Sequence, residues 1–314
     1  MNKTKIIASC YGFQSSKPIY NEGKVITAII SLYFSIPLSI LATIGNALIL
    51  YAVRTTHELQ KPLNLLLAFI AITDLLAGIL AMPMSIAIRL LEAKNVLAPC
   101  SIRVAYRVIV VPLTTVSFLM MGSLSIDSLL ACSFPLKHRT WQLKEIYKWI
   151  FITSWLIPSS ILTLTALEVI EADSGRRCLS VIFFLTIVCI TFSKLRIYCI
   201  TRANNSAVGD MLSQAAFEQR RKKQKRLLKT LVAVILFFLV CHLPNAIVLQ
   251  LQLNEDSSDF YYAFRYSAIL TFLNSSLNPI IFCYRREDMR MVVLETLFAL
   301  TSKLRRGERI LSVE

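Results

Sequence analysis

Seven stretches of this 314-residue chain are apolar over lengths that a water-facing domain cannot hide: 25–53, 62–88, 104–132, 149–168, 179–201, 227–252 and 260–284. A helix rises 1.5 Å per residue, so about 20 residues cross a hydrocarbon layer about 30 Å thick. In hydrocarbon every backbone N–H and C=O must be satisfied inside the segment, and stretches of this kind therefore form helices. Composition agrees, with 55% hydrophobic and 17% charged residues and a mean hydropathy of +0.60, against about 25% charge in soluble domains. The fifth stretch is the least regular, because Lys194, Arg196 and Arg202 interrupt its far end. If one stretch is re-entrant or interfacial, the count becomes six or eight. The expected architecture is all-α: an N-terminal segment over 1–24, a seven-helix membrane bundle over 25–284, and a C-terminal segment over 285–314.

Loop charge predicts the orientation. Of the 34 Lys and Arg residues, 23 fall in 54–61, 133–148, 194–229 and 285–314, and 11 fall on the opposite side. The excess of basic residues belongs in the cytosol, which puts the N-terminus outside. The formal charge of +15 is mostly this topological signal and gives no reason to expect nucleic acid as a partner. The run RRKKQKR at 220–226 reads as a cytosolic flank and part of a partner surface, or alternatively as a phosphoinositide or nuclear-localisation patch. The start, MNKTKIIASC, is too short in apolar residues for a cleaved signal peptide. Asn2 opens a glycosylation sequon on the outer side.

Three of the eight cysteines, Cys10, Cys100 and Cys178, fall on the oxidising side. Cys100 heads the third span and Cys178 lies just before the fifth, which makes them the expected disulfide and leaves Cys10 over.

A polar side chain inside a span is costly and marks function. Asn46, Asp74, Ser117, Asn274 and Asn278 are such residues. Together they form an oxygen-lined pocket for a small hard cation, or else Asp74 is neutral and only hydrogen-bonded. Pro244 and Pro279 each remove a helical hydrogen bond. Kinked helices around a polar centre suit a bundle with two packings.

At this point the residues resemble a family. Gly45-Asn46, LNLLLAFIAITDLLAG at 63–78, Ser117 to Asp127, FPLKHR at 134–139, Trp155, FLVCHLP at 238–244 and NSSLNPIIF at 274–282 occur in the order and spacing of the rhodopsin-like G-protein-coupled receptors. The resemblance covers nearly the whole chain. It implies an extracellular ligand, a heterotrimeric G protein inside, the plasma membrane as location, no enzymatic activity and no cofactor. It also implies an allosteric sodium ion at Asp74, Ser117, Asn274 and Asn278. By linkage, sodium and an activating ligand would each weaken the other's binding. Phe238 and Pro244 match the hinge of helix six. Residues 286–300 match a short amphipathic eighth helix on the inner leaflet, with Met289, Val293, Leu297 and Leu300 as its apolar stripe.

The activation switch implied by the resemblance is Asp127, Ser128, Lys194, Phe238, His242, Pro244, Asn278, Pro279 and Phe282, and four departures from the family cluster on it, at Ser128, Lys194, His242 and Phe282. Ser128 stands where the family has the arginine that pairs with the aspartate and then reaches the G protein. Phe282 and Lys194 stand where two tyrosines make a water-bridged link, and His242 replaces a tryptophan above the hinge. Three readings remain open: coupling through a rewired network in which Lys194 supplies a cation near Asp127, a ligand-binding decoy or partner subunit, or a decaying copy. If His242 titrates, the switch is pH-dependent. The absent proline in the fifth span and the short loop over 169–178 are similar to the melanocortin, lysophospholipid, cannabinoid and adenosine branch. Cys100 lies about one turn further out than the family spacing.

The ligand pocket implied by the resemblance is Tyr106, Arg107, Val110, Thr114, His242, Asn245, Ala268 and Phe272, a mostly apolar slot for a small-molecule, lipid or peptide ligand. Val110 stands where amine receptors carry an aspartate and Phe272 where opsins carry the retinal lysine. Arg107 either meets an anionic lipid or peptide carboxylate, or snorkels to the interface. The acidic residues Glu168, Glu171, Asp173, Glu255, Asp256 and Asp259 either steer a basic peptide or are solvated. A transporter would show repeats between its halves. A metal site is excluded by the scatter of His57, His138 and His242.

Overall fold

The computed structural model describes residues 22–59, 62–96, 98–141, 143–167, 169, 172–209, 236–245, 247–248, 258–285 and 287–311. Asn2, Cys10, the basic run 220–226, Glu168, Glu171, Glu255 and Asp256 lie outside the described residues, as do the side chains of Asp173 and Leu300. Helix follows helix: α1 (Glu22–Thr55), α2 (Pro62–Leu76), a π-helical turn (Ala77–Ala81), α3 (Met82–Ala93), α4 (Cys100–Ser133), α5 (Pro135–Thr140) and α6 (Leu143–Ala166). Then come α7 (Ala172–Gly209), α8 (Leu236–Asn245), α9 (Ser258–Arg285) and α10 (Glu287–Leu311).

Five of the described helices are long and apolar enough to cross a membrane: Glu22–Thr55, Asn64–Ala93, Cys100–Ser133, Arg177–Ala203 and Tyr261–Tyr284. Most overrun the apolar stretches that foretell them. Hydropathy marks the hydrocarbon crossing, whereas Arg, Lys and Glu continue a helix readily once it leaves that layer. Large apolar side chains face outward along α1 (Tyr33, Ile36, Ile40, Ile44), α6 (Trp149, Ile152, Leu156) and α7 (Phe184, Leu185, Phe192). A belt this wide on several helices is far beyond the patches tolerated in water.

Asn95, at φ 56°, closes the end of α3 in the left-handed conformation that Asn tolerates. We name the two ends of the bundle by α1: the Glu22 end and the Thr55 end.

The second span changes pitch above Asp74. Pro83 brings no N–H and its ring crowds the preceding turn. Widening that turn to the π form relieves the clash, and Met82 N–H donates to Ala77 O. In this register the missing Pro83 donor would have served the Gly78 carbonyl, which instead accepts from Ser39 Oγ of α1 at 2.9 Å. That bond draws α1 in so closely that a Cβ on Gly78 would stand 2.7 Å from Thr43 Oγ1 and 3.0 Å from the Thr43 backbone nitrogen. Gly78→Val is therefore expected to push α1 off the second span at a cost of about 1–3 kcal/mol. A lower melting temperature for the purified protein, relative to Gly78→Ser, checks this.

A second seam joins α1 to α9. Asn46 Nδ2 donates to Ala42 O at 2.8 Å and to Ser275 O at 3.1 Å, and Ser276 Oγ donates to Leu38 O at 2.9 Å. At Gly45 a Cβ would meet Pro279 Cγ at 2.9 Å. The main apolar core lies toward the Thr55 end, where Ile49, Leu66, Ile70, Met120, Tyr147 and Phe282 pack together. Met289 and Val293 of α10 join that core, while Leu297 is partly exposed. Phe282 thus fills an apolar niche.

The predicted Cys100–Cys178 disulfide is not formed. α7 begins at Ala172, so Cys178 already sits within a helix, exposed and free. Cys100 is itself disulfide-bonded, to a partner outside the described residues.

Candidate functional site

Asp74 is fully buried at the centre of the bundle. Asn278 Nδ2 of α9 donates to its Oδ2 at 2.6 Å, and Ser117 Oγ of α4 donates weakly to Oδ1 at 3.4 Å. Asn274, one turn before Asn278, is equally buried, and its Oδ1 has no hydrogen-bond partner among the described residues. Three of the four predicted residues, Asp74, Ser117 and Asn278, are therefore joined across three helices, whereas Asn274 is not among the residues that line the cavity beside Asp74 and Ser275 is. That cavity measures about 20 Å³, room for one water or one bare ion. A buried carboxylate with the Ser117 and Ser275 hydroxyls beside the same cavity is a donor set that fits a small hard cation.

Val110, Thr114, His242 and Phe272 line the same cavity, with Ala81 and Ser275. Tyr106, Arg107, Asn245 and Ala268, also predicted for the pocket, do not. Residues 106, 110 and 114 share one helical face, so Tyr106 stands a turn above the cavity, and Arg107 is rotated off that face and exposed. Asn245 accepts instead from Ser267 Oγ at 3.3 Å.

His242 is 4% exposed and sits in an aromatic knot. Its ring meets Phe118 edge-on at 4.4 Å and Phe238 at 4.7 Å, and Phe118 meets Phe183 at 4.4 Å. The knot ties α4, α7 and α8 at the level of the predicted hinge. His242 Nε2 faces Asn274, yet neither forms a hydrogen bond of good geometry. Phe118 and Phe183 are absent from the sequence-based set, because an aromatic residue in an apolar run gives no sign of which neighbour it will meet.

At the Thr55 end, Asp127 is 4% exposed. Tyr147 OH of α6 donates to its Oδ1, and His138 Nε2 of α5 lies 2.8 Å from the same oxygen. Ser128 turns away and donates to Leu124 O at 2.7 Å. The expected Lys194–Asp127 pair is not among the described contacts: the carboxylate is met from the turn that follows α4, whereas Lys194 is buried on α7. Neither His138 nor Tyr147 was legible as a switch residue, since each lies on a different element from Asp127.

A second charged group occupies the Glu22 end. Glu92 of α3 accepts from Arg89 Nη1 at 3.3 Å, from Tyr261 OH at 3.1 Å and from Arg265 Nη2 of α9. Arg89 is 2% exposed. The Arg265 guanidinium stacks 4.8 Å from the Tyr261 ring, and Lys24 of α1 lies 5.3 Å from the same ring. In sequence these basic residues read only as flanking charges.

Comparison with known proteins agrees with this arrangement. Residues 45–282 match the family described as 7 transmembrane receptor (rhodopsin family). Trace amine-associated receptor 1 of Mus musculus is 25% identical over 308 residues, covering 85% of this chain and 90% of the relative. The allatostatin-A receptor of Bombyx mori is 22% identical over 309 residues, or 88% and 81% of the two chains. Human sphingosine 1-phosphate receptor 2 is 31% identical over 122 residues, covering 38% of this chain and 31% of the relative.

Proposed function

The chain belongs to the rhodopsin family of seven-transmembrane receptors, and on that premise we propose that it carries an extracellular signal to a heterotrimeric G protein through a switch whose resting lock is rebuilt around Asp127. The family is one of receptors rather than enzymes, and the chain is a multi-pass membrane protein with G-protein-coupled receptor activity. The finer reading places the Glu22 end outside the plasma membrane and the Thr55 end in the cytosol, following the distribution of Lys and Arg.

One observation carries the proposal. Asp127 keeps two partners, Tyr147 and His138, although the neighbouring arginine of the family is Ser128 here. A buried carboxylate left unpaired would be costly, and here Tyr147 and His138 keep Asp127 paired without an arginine beside it. The lock now ties α4 to α5 and α6, so activation would release His138 of α5 together with the α4 end.

Ligand binding acts by favouring one of two packings. The hinge at Phe238 and Pro244 and the knot around His242 are the elements that differ between them. The set of Asp74, Ser117, Asn274 and Asn278 would hold a sodium ion, whose charge would neutralise the Asp74 carboxylate. The ligands named by the relatives range from an amine to a lipid phosphate, so they do not choose one for this chain.

The test compares the wild type with Ser128→Arg at matched surface levels, reading basal nucleotide exchange on a panel of G proteins. Exchange from the wild type supports the rebuilt lock. Silence from the wild type with exchange from Ser128→Arg would instead mean that the bundle switches but lacks its cytosolic contact, and the coupling proposal would fall.

A further inference from the structure

We propose that Cys10 is bonded to Cys100 in a disulfide that straps the N-terminal segment to the head of α4, in place of a bridge between Cys100 and Cys178. The first argument is elimination. The chain has eight cysteines. Cys132, Cys178, Cys189, Cys199, Cys241 and Cys283 are free, and Cys100 is disulfide-bonded. Cys10 is the one cysteine that remains, so within a single chain no other thiol can be the partner.

The second argument is compartment. Cys100 opens α4 at the Glu22 end of the bundle, and Cys10 precedes Glu22 in the chain. The receptor reading puts both on the oxidising side of the membrane, where disulfides form and persist, and the proposal rests on that reading for this step. Each thiol gives up one proton and one electron as the S–S bond forms. The acceptor is a protein disulfide of the secretory lumen, which leaves as a dithiol by thiol–disulfide exchange.

The third argument is reach. α1 packs on α3, and α3 packs on α4. Packed helices stand about 8–10 Å apart, so two such steps separate the outer ends of α1 and α4 by about 20 Å. The chain from residue 10 to residue 22 can extend to about 40 Å at about 3.3 Å per residue, which is ample. The bond closes a ring over residues 10–100 that contains α1, α2 and α3. A crosslink around so long a ring removes much of the freedom of the unfolded chain, so the strap stabilises the bundle and makes its outer end sensitive to reductant.

The experiment uses the full-length protein, labelled with a membrane-impermeant maleimide on intact cells, purified without reductant and digested with trypsin. Trypsin leaves Cys10, Cys100 and Cys178 on three separate peptides, 6–24, 95–103 and 178–194 (Lys17 precedes Pro18 and is not cut). The expected result is peptide 6–24 linked to 95–103 until reduction, with the maleimide on Cys178. Linked peptides read the pairing and labelled thiols read the orientation, so either can fail alone. Cys10→Ser should free the Cys100 thiol and lower the melting temperature. Cys100→Ser should lower it too, and the double change should cost no more than either single one, because only one bond is lost. Cys178→Ser should leave the melting temperature unchanged. Should Cys100→Ser fail to fold, the wild-type peptide map and Cys10→Ser carry the test. The proposal is overturned if 95–103 is linked to 178–194, if Cys10 joins a second copy of the chain, or if Cys10 and Cys100 are both recovered as thiols.

Discussion

Sodium chloride is expected to raise the melting temperature of the purified wild-type receptor above its value in equimolar choline chloride, and Asp74→Asn is expected to abolish that difference. The prediction follows from three features of the centre: a fully buried carboxylate, a cavity beside it large enough for one ion, and the Ser117 and Ser275 hydroxyls that line that cavity. Binding to the folded state alone stabilises it by RT ln(1 + [L]/Kd), or about 2.7 kcal/mol when sodium is at a hundred times its dissociation constant. Asparagine keeps the shape and, with its oxygen in the Oδ2 position, the 2.6 Å bond from Asn278, but lacks the charge that would hold the ion. In choline the variant should melt no lower than the wild type, because a lone carboxylate in a low-dielectric centre is itself costly. A sodium response that persisted in Asp74→Asn would place the ion elsewhere. A wild type indifferent to sodium would leave Asp74 as a hydrogen-bonded structural acid.

The second large effect is expected at the Thr55 end. Tyr147→Phe keeps the ring that packs against Leu66 and Met120 in the inner core and removes only the hydroxyl that donates to Asp127. The cost should be about 1–3 kcal/mol. Adding His138→Ala strips the remaining partner from a carboxylate that is 4% exposed. The pair together should cost about 3–5 kcal/mol, the penalty for an uncompensated buried charge, and more than the two single changes predict. Asp127→Asn in the double-variant background should restore most of that loss, since an amide tolerates isolation better than a carboxylate. The same variants should raise basal nucleotide exchange, because the group that holds α4 to α5 and α6 has gone. Additive single effects, or no rescue by Asp127→Asn, would reduce the cluster to ordinary packing.

The readings that survived from sequence to structure share a physical property: they depend on what a residue costs in hydrocarbon, wherever its neighbours are. Asp74, Ser117 and Asn278 meet through hydrogen bonds because buried polar groups in lipid have few outlets besides one another. Val110, Thr114, His242 and Phe272 also meet around one cavity. The readings that failed depended on reach. Cys100 and Cys178 looked like neighbours across a short loop, but the start of α7 at Ala172 turns Cys178 outward. For Asp127 the described partners are Tyr147 and His138, to which charge complementarity in the sequence did not point. Arg107 was the obvious basic residue near the pocket, yet helical rotation leaves it exposed.

The sequence by itself determined that this chain is an all-helical membrane protein, which family it resembles, and which polar residues are too costly to be incidental. Hydropathy and residue spacing are local quantities, and the bilayer leaves little choice about how an apolar stretch satisfies its backbone. Only the tertiary structure decided who partners whom. The π turn that brings Gly78 against Thr43, the use of His138 and Tyr147 in place of an arginine, and the gathering of Arg89 and Arg265 around Glu92 each join elements distant along the chain or set the rotation of a helix by one residue. At 3.6 residues per turn a single residue swings a side chain by about 100°, and no local pattern records which way the neighbouring helix will be facing.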